Sequence, residues 1–383
     1  MNTKYLLLCL FLLSVLLTTC APPMGSSRSV KESATAYVGT FTRDEGWVNG
    51  QAKGVYQLDI NTADGKITGQ KLVATITNPT FLAETADKKH LYVASHLSGN
   101  KEPTGYLHVL DVAGGYREIN RVATGGKSTC HVAIDATGNF VMTANYSGGV
   151  SQLYRKQADG SLKLADVFKV SDELVPGKKP HFHSAMFSPS NRIVALADLG
   201  LDRVWLFTLD QVNGKLIPHD QPFIKLADGA GPRHTTWSAD GRFLYVINEL
   251  NSTVSVLDYA AAEDRFTIGQ TINTLPAKFK EKNSCAHVEL HPSGDFLYGS
   301  NRGHNSIVIY RVDKKTGRLT LLGHQPTEGD FPRGFAVAPT GEYLYAANQN
   351  TGDISAHFIN QKSGELTFTG QLYDLPTPVF VGF

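Results

Sequence analysis

The sequence predicts an all-β fold, a seven-bladed β-propeller closed by pairing its N- and C-terminal strands in one blade. Three observations carry that prediction. The first is a period: strand-ending polar residues Ser95, Asn145, Asp198, Asn248, Asn301 and Asn348 stand 50, 53, 50, 53 and 47 residues apart, the length of one four-stranded blade. The second is the content of each period, four apolar runs joined by Gly-centred turns. The third is a match between the ends: Thr377-Pro-Val-Phe-Val381 repeats the pattern of Asn78-Pro-Thr-Phe-Leu82. The C-terminus therefore supplies an innermost strand whose blade is completed by the N-terminus, which leaves no open edge.

Taken in order, the chain opens with Lys4, an apolar run over residues 5–17 and Leu17-Thr18-Thr19-Cys20. The run is short for a bilayer span, so residues 1–20 read as an export signal, with lipidation expected at Cys20. Residues 21–34, beginning Ala21-Pro-Pro-Met-Gly-Ser-Ser, read as a flexible linker. Residues 35–383 form the propeller. Residues 36–40 and 54–60 are the second and third strands of the shared blade. The repeat then runs His131-Val-Ala-Ile-Asp-Ala-Thr-Gly-Asn-Phe-Val-Met-Thr-Ala-Asn145, and it returns at 234–248 and 287–301. After each polar stop comes an alternating strand such as Arg203-Val-Trp-Leu-Phe-Thr-Leu-Asp210, then a turn such as Lys315-Thr-Gly-Arg-Leu319. No segment carries a helical stripe.

Composition narrows the function classes. With 36 Lys+Arg against 35 Asp+Glu, the net charge is +1, too balanced for a nucleic-acid binder, which needs clustered excess base. With 42% hydrophobic and 19% charged residues the chain has material for a large core. Of four cysteines, Cys9 and Cys20 belong to the signal, and Cys130 and Cys285 have no metal spacing and are expected as buried thiols rather than a disulfide.

Repeats permit a subtraction. His131, His234 and His287 each stand fourteen residues before their stop, so their recurrence points to hydrogen bonding inside the blade. The recurring stops Asn145, Asn248 and Asn301 read as turn residues. Two other positions vary. Fifteen residues before the stop stand Thr80, Cys130, His183, Arg233, Ala286 and Arg333. Just after the second strand stand Phe41, His96, Tyr146, Leu199, Glu249, Arg302 and Gln349. Adjacent strands are antiparallel, so both sets fall on one face of the ring near its axis. His183, Arg233, Glu249, Arg302 and Arg333 converge there, an arrangement suited to an anion.

Pro180-His-Phe-His-Ser184, Gly231-Pro-Arg-His234, Asn248-Glu-Leu-Asn-Ser252, Ser300-Asn-Arg302 and Phe331-Pro-Arg-Gly-Phe335 together resemble the seven-bladed propeller lactonases, which include propeller-type 6-phosphogluconolactonases and carboxymuconate-lactonizing enzymes. The resemblance covers the chain from about residue 35 to its end. It implies a carboxylic-ester hydrolase with His183, Arg233, Glu249 and Arg302 as the catalytic set; beside it, the residues themselves give Arg333, His131, Tyr146 and Gln349 as the expected substrate-binding groups. Opening a lactone needs a base, for which His183 and Glu249 are the two candidates, and donors such as Arg233 and Arg302 for the oxyanion. No cofactor or metal is expected, since a rim rich in arginine repels a divalent cation. The expected partner is a small lactone. The export signal favours an unphosphorylated or otherwise acidic aldonolactone over 6-phosphogluconolactone, and places a monomer in the periplasm or cell envelope on a lipid anchor. Two readings compete with hydrolysis: a non-enzymatic binding propeller, and a muconate-type cycloisomerase.

Overall fold

Residues 33–98, 103–171 and 174–383 are described by a computed structural model. The expected signal and Cys20 lie outside them. The described residues form 28 strands in seven four-stranded sheets. Six sheets are built from consecutive strands: residues 79–123, 127–169, 182–225, 232–273, 284–326 and 332–374, the first to sixth blades. In the seventh, Pro378–Gly382 is innermost and pairs with Ser33–Thr40, followed by Val55–Asn61 and Ile67–Ala74. Val38 faces Val381 across that closure, as the matching ends predict. The first strand starts at Ser33, opposite Asn61, two residues before the expected start of the propeller.

A blade inside a propeller is covered on both faces, so its second strand has no polar side. Phe243-Leu-Tyr-Val-Ile-Asn248 is buried at every position. Its alternate residues serve different neighbours: Leu244 and Val246 pack with Ile193, Val204 and Trp237, while Tyr245 and Ile247 pack with Leu297, Val308 and Tyr310. An apolar cluster of this kind fills each of the seven seams between blades. Each fully buried Leu, Ile or Val contributes about 1.5–3 kcal/mol, and the seams are where that burial is concentrated.

The polar stops, expected as turn residues, are buried at the ends of second strands. Asn145, Asn301 and Asn348 are completely buried. The Asn145 amide donates to Thr124 O at 2.8 Å and Val150 O at 2.9 Å, and Asn301 and Asn348 donate to Thr274 O and Thr327 O, both at 3.0 Å. Each ties the end of a second strand to the connection arriving from the preceding blade. An amide does this better than a hydroxyl because it offers two donors and an acceptor at one point.

Candidate functional site

The first strand of every blade carries a break in register next to the axis. Pro232 faces Asn248 but His234 faces Ile247, so Arg233 is an extra residue, a β-bulge. The same shift leaves Thr80, Cys130, His183 and Arg333 unpaired in their blades, and Val379 in the seventh. In the fifth the shift falls between Cys285 and Val288. A regular strand sends successive side chains to opposite faces. The bulge suspends that rule, so the extra residue and the one after it both reach the channel.

A cavity of about 410 Å³ opens at one end of the channel. The bulge residues Cys130, His183 and Arg333 line it together with His96, Tyr146, Glu249 and Arg302, which follow second strands. The two predicted sets thus meet on one face. Arg233 lies one layer deeper, beside a pocket of about 20 Å³ that it shares with His183, His234 and His287. His131 does not line the upper cavity; it faces a cavity of about 540 Å³ at the opposite end. Gln349 does not line it either: its backbone N–H donates to Phe331 O and its amide to Asn350 Oδ1.

Glu249 organises the charge. Its Oε2 lies 2.8 Å from Arg233 Nε and 3.0 Å from Arg302 Nη2. The Arg233 contact is short but off the N–H direction, so it acts as a charge pair more than as an aligned hydrogen bond. Arg233 Nη1 also donates to Ala286 O at 2.6 Å, and Arg302 Nη2 to Cys285 O at 2.8 Å. Both guanidinium groups are therefore fixed on two sides. Burial alone raises the Glu249 carboxyl, but Arg302, Arg233 and Arg333 outweigh it and hold it below its usual range. Glu249 is thus ionised at neutral pH.

Arg333 has no carboxylate partner among the described residues; its guanidinium sits 5.3 Å from the centre of the Trp47 ring and 5.7 Å from that of Phe41. Burial, then Arg233 and Arg302, push its pKa down to about 9, which leaves it charged at pH 7. Burial, then Arg233 and Arg333, also hold the His183 imidazole well below its usual value, so it is neutral. Cys130 is no nucleophile at this pH: burial pushes its thiol up to about 12.

Sequence reasoning missed Trp47, which lines the cavity. It sits in the connection after residue 40, the longest departure from the repeat at this rim. That loop is tied down by Glu45, which accepts from Asn78 Nδ2 at 2.6 Å, pairs with Arg43 Nε at 2.5 Å and accepts from the Ser98 hydroxyl. Asn78 holds a positive φ of 46° and also accepts from Thr42 N, a conformation Asn tolerates better than most residues. The signal was Phe41, the seventh member of the rim set, which meets Trp47 edge to face at 5.0 Å.

Among the described residues no group of three or more His, Cys, Asp or Glu is placed to hold a metal ion. The architecture and site together define a seven-bladed propeller with a cationic pocket at one channel mouth. The sequence profile described as "Lactonase, 7-bladed beta-propeller" matches residues 35–383, and the chain belongs to that family of lactone-cleaving enzymes. It is 31% identical over 307 residues to a 6-phosphogluconolactonase of Bacillus subtilis, covering 78% of this chain and 83% of the relative. A 6-phosphogluconolactonase of Formosa agariphila is 32% identical over 311 residues, 79% of this chain and 85% of that one. Among solved structures, a periplasmic gluconolactonase of Pseudomonas aeruginosa superposes with a TM-score of 0.83 at 28% identity, covering 91% of this chain and 98% of that one.

Proposed function

We propose that the chain hydrolyses a sugar aldonolactone in the upper cavity, with His183 as the base. The observation that carries this reading is the pairing of a neutral buried imidazole with two guanidinium groups, Arg302 and Arg333, around one cavity. A water attacks the lactone carbonyl carbon and gives its proton to His183. The carbonyl oxygen becomes an oxyanion between Arg302 and Arg333. When the intermediate collapses, the ring C–O bond breaks and the departing oxygen recovers the proton from His183, leaving the open hydroxy acid. Glu249 is the fixed charge that orients Arg233 and Arg302; its low proton affinity suits that role better than proton transfer. Trp47 and Phe331 wall the cavity and give the sugar ring apolar faces.

The two substrate names carried by the relatives differ by one phosphate. Purified mature protein assayed on gluconolactone and on its 6-phosphate decides between them: comparable or better rates on the unphosphorylated lactone support the unphosphorylated substrate expected from the export signal, and a strong preference for the phosphate overturns that choice. His183→Gln lowers kcat by about 10²–10⁴-fold with the fold retained. Product analysis with a muconate separates hydrolysis from lactone closure, and a protein that turns over neither is a binding propeller. We also infer export and lipid anchoring through Cys20, supported by the apolar leader and by the periplasmic relative. Cys20→Ser should move the protein from the membrane fraction to the soluble periplasm.

A further inference from the structure

Beneath Arg233 the channel axis is occupied by histidines whose hydrogen bonds admit one proton arrangement. Arg233 Nη1 lies 3.2 Å from His234 Nε2, and His234 Nδ1 lies 2.8 Å from His287 Nδ1. A guanidinium only donates, so His234 Nε2 accepts and the proton of a neutral His234 is on Nδ1. His287 Nδ1 must then accept it, which puts the His287 proton on Nε2. That nitrogen lies 3.7 Å from Glu289 Oε2, beyond a direct hydrogen bond. Glu289 is itself fixed, both oxygens lying 3.3 Å from the Val337 N–H of the next blade. The bulge at Arg233 makes this stack possible, because it turns Arg233 and His234 to the same channel.

We propose that His234 and His287 are positioning residues, which hold Arg233 under the site through a one-way hydrogen-bond chain that runs from Arg233 through His234 to His287. Arg233 meets Glu249, and Glu249 meets Arg302, so an error at His234 propagates to the oxyanion donor. His234 and His287 touch no substrate. The inference rests on the lactonase reading of the upper cavity.

Two substitutions at His234 separate its two bonds. Gln places an amide oxygen where Nε2 stands and keeps an acceptor for Arg233; Asn reproduces only the Nδ1 side. On gluconolactone, His234→Asn should lower kcat about tenfold or more, with KM changed much less. His234→Gln should recover most of kcat. Equal losses in the two variants, or losses confined to KM, overturn the proposal. The second readout needs no turnover: ¹⁵N spectra of histidine-labelled full chain should show a protonated Nδ1 on His234 and a protonated Nε2 on His287. The opposite tautomer on either ring overturns the chain. Wild type inactive on every lactone sinks the lactonase reading, and the tautomers still decide the chain. If His234→Asn does not fold, the wild-type spectra decide alone: a protonated Nδ1 on His234 with a protonated Nε2 on His287 supports the chain, and the opposite tautomer on either ring overturns it.

Discussion

The two mouths of the channel draw on neighbouring residues of the same first strands, yet they differ in kind. The upper cavity takes the bulge residues, which vary from blade to blade: Cys130, His183 and Arg333. The lower one takes the residues that follow the bulges, which repeat: His131, His234 and His287 beside Phe81 and Phe335. Most upper groups are charged or polar, and Glu249 and Arg302 among them are joined by an ion pair. Lower groups pack ring on ring, with Phe81 and His131 at 4.1 Å and His131 and His234 at 5.5 Å. Divergence at two positions per blade, the bulge and the residue after the second strand, thus makes an asymmetric site in a near-symmetric ring, while the residue next to the bulge maintains the fit of the blades around the axis.

The largest test of this contrast is Glu249→Ala. It leaves Arg233 and Arg302 close together with no neutralising charge, and removing one partner of a buried pair costs about 3–5 kcal/mol. The expected result is a drop of more than 10²-fold in kcat/KM together with a clear loss of thermal stability. At the other mouth, Glu289→Gln keeps a carbonyl acceptor and should leave the melting temperature within a few degrees. A stability loss at Glu289 equal to that at Glu249 would contradict the division of labour between the mouths.

A smaller effect is expected for Arg333→Gln. Because burial and then Arg233 and Arg333 depress the His183 pKa, wild-type activity should persist to well below the ordinary imidazole value of 6.5. Removing one of the depressing charges raises the His183 pKa, so the acid limb of kcat/KM should move to higher pH. A limb that stays in place means that His183 is not the group whose protonation is being read.

How far the sequence could show all this depended on what repeats. The period and the ring closure were legible because each blade restates them, and the bulge residues were legible as a variable column. Their geometry was not: two successive side chains facing one channel violate strand alternation, and strand pairing cannot be read along a single chain. For the same reason His131, His234 and His287 looked like hydrogen-bonding groups within blades, whereas they stand on the axis. The stops looked like turn residues because Asn favours turns, and only the arriving connection from the neighbouring blade buries them. Trp47 lay in an insertion that has no counterpart elsewhere in the chain, so no comparison between blades could flag it.

The smallest predicted effect isolates the lower mouth. His131 is 4% exposed, its Nδ1 has no hydrogen-bond partner among the described residues, and burial, then His287 and Arg233, push its pKa down to about 3. Its folded pKa is depressed below the unfolded 6.5, so the unfolded chain binds the extra proton first. Stability is therefore retained above pH 6.5 and lost as pH falls from there toward 3, at about 1.4 kcal/mol per unit from this one group. Phe in its place keeps a ring against Phe81 and carries no proton. His131→Phe should leave stability at pH 7.5 nearly unchanged, and it should flatten the decline between pH 6.5 and 4 by that slope. The upper cavity does not use His131, so kcat/KM at neutral pH should stay within about twofold of wild type. A large loss of activity with an unchanged acid slope would move His131 from the packing of the axis into the site itself.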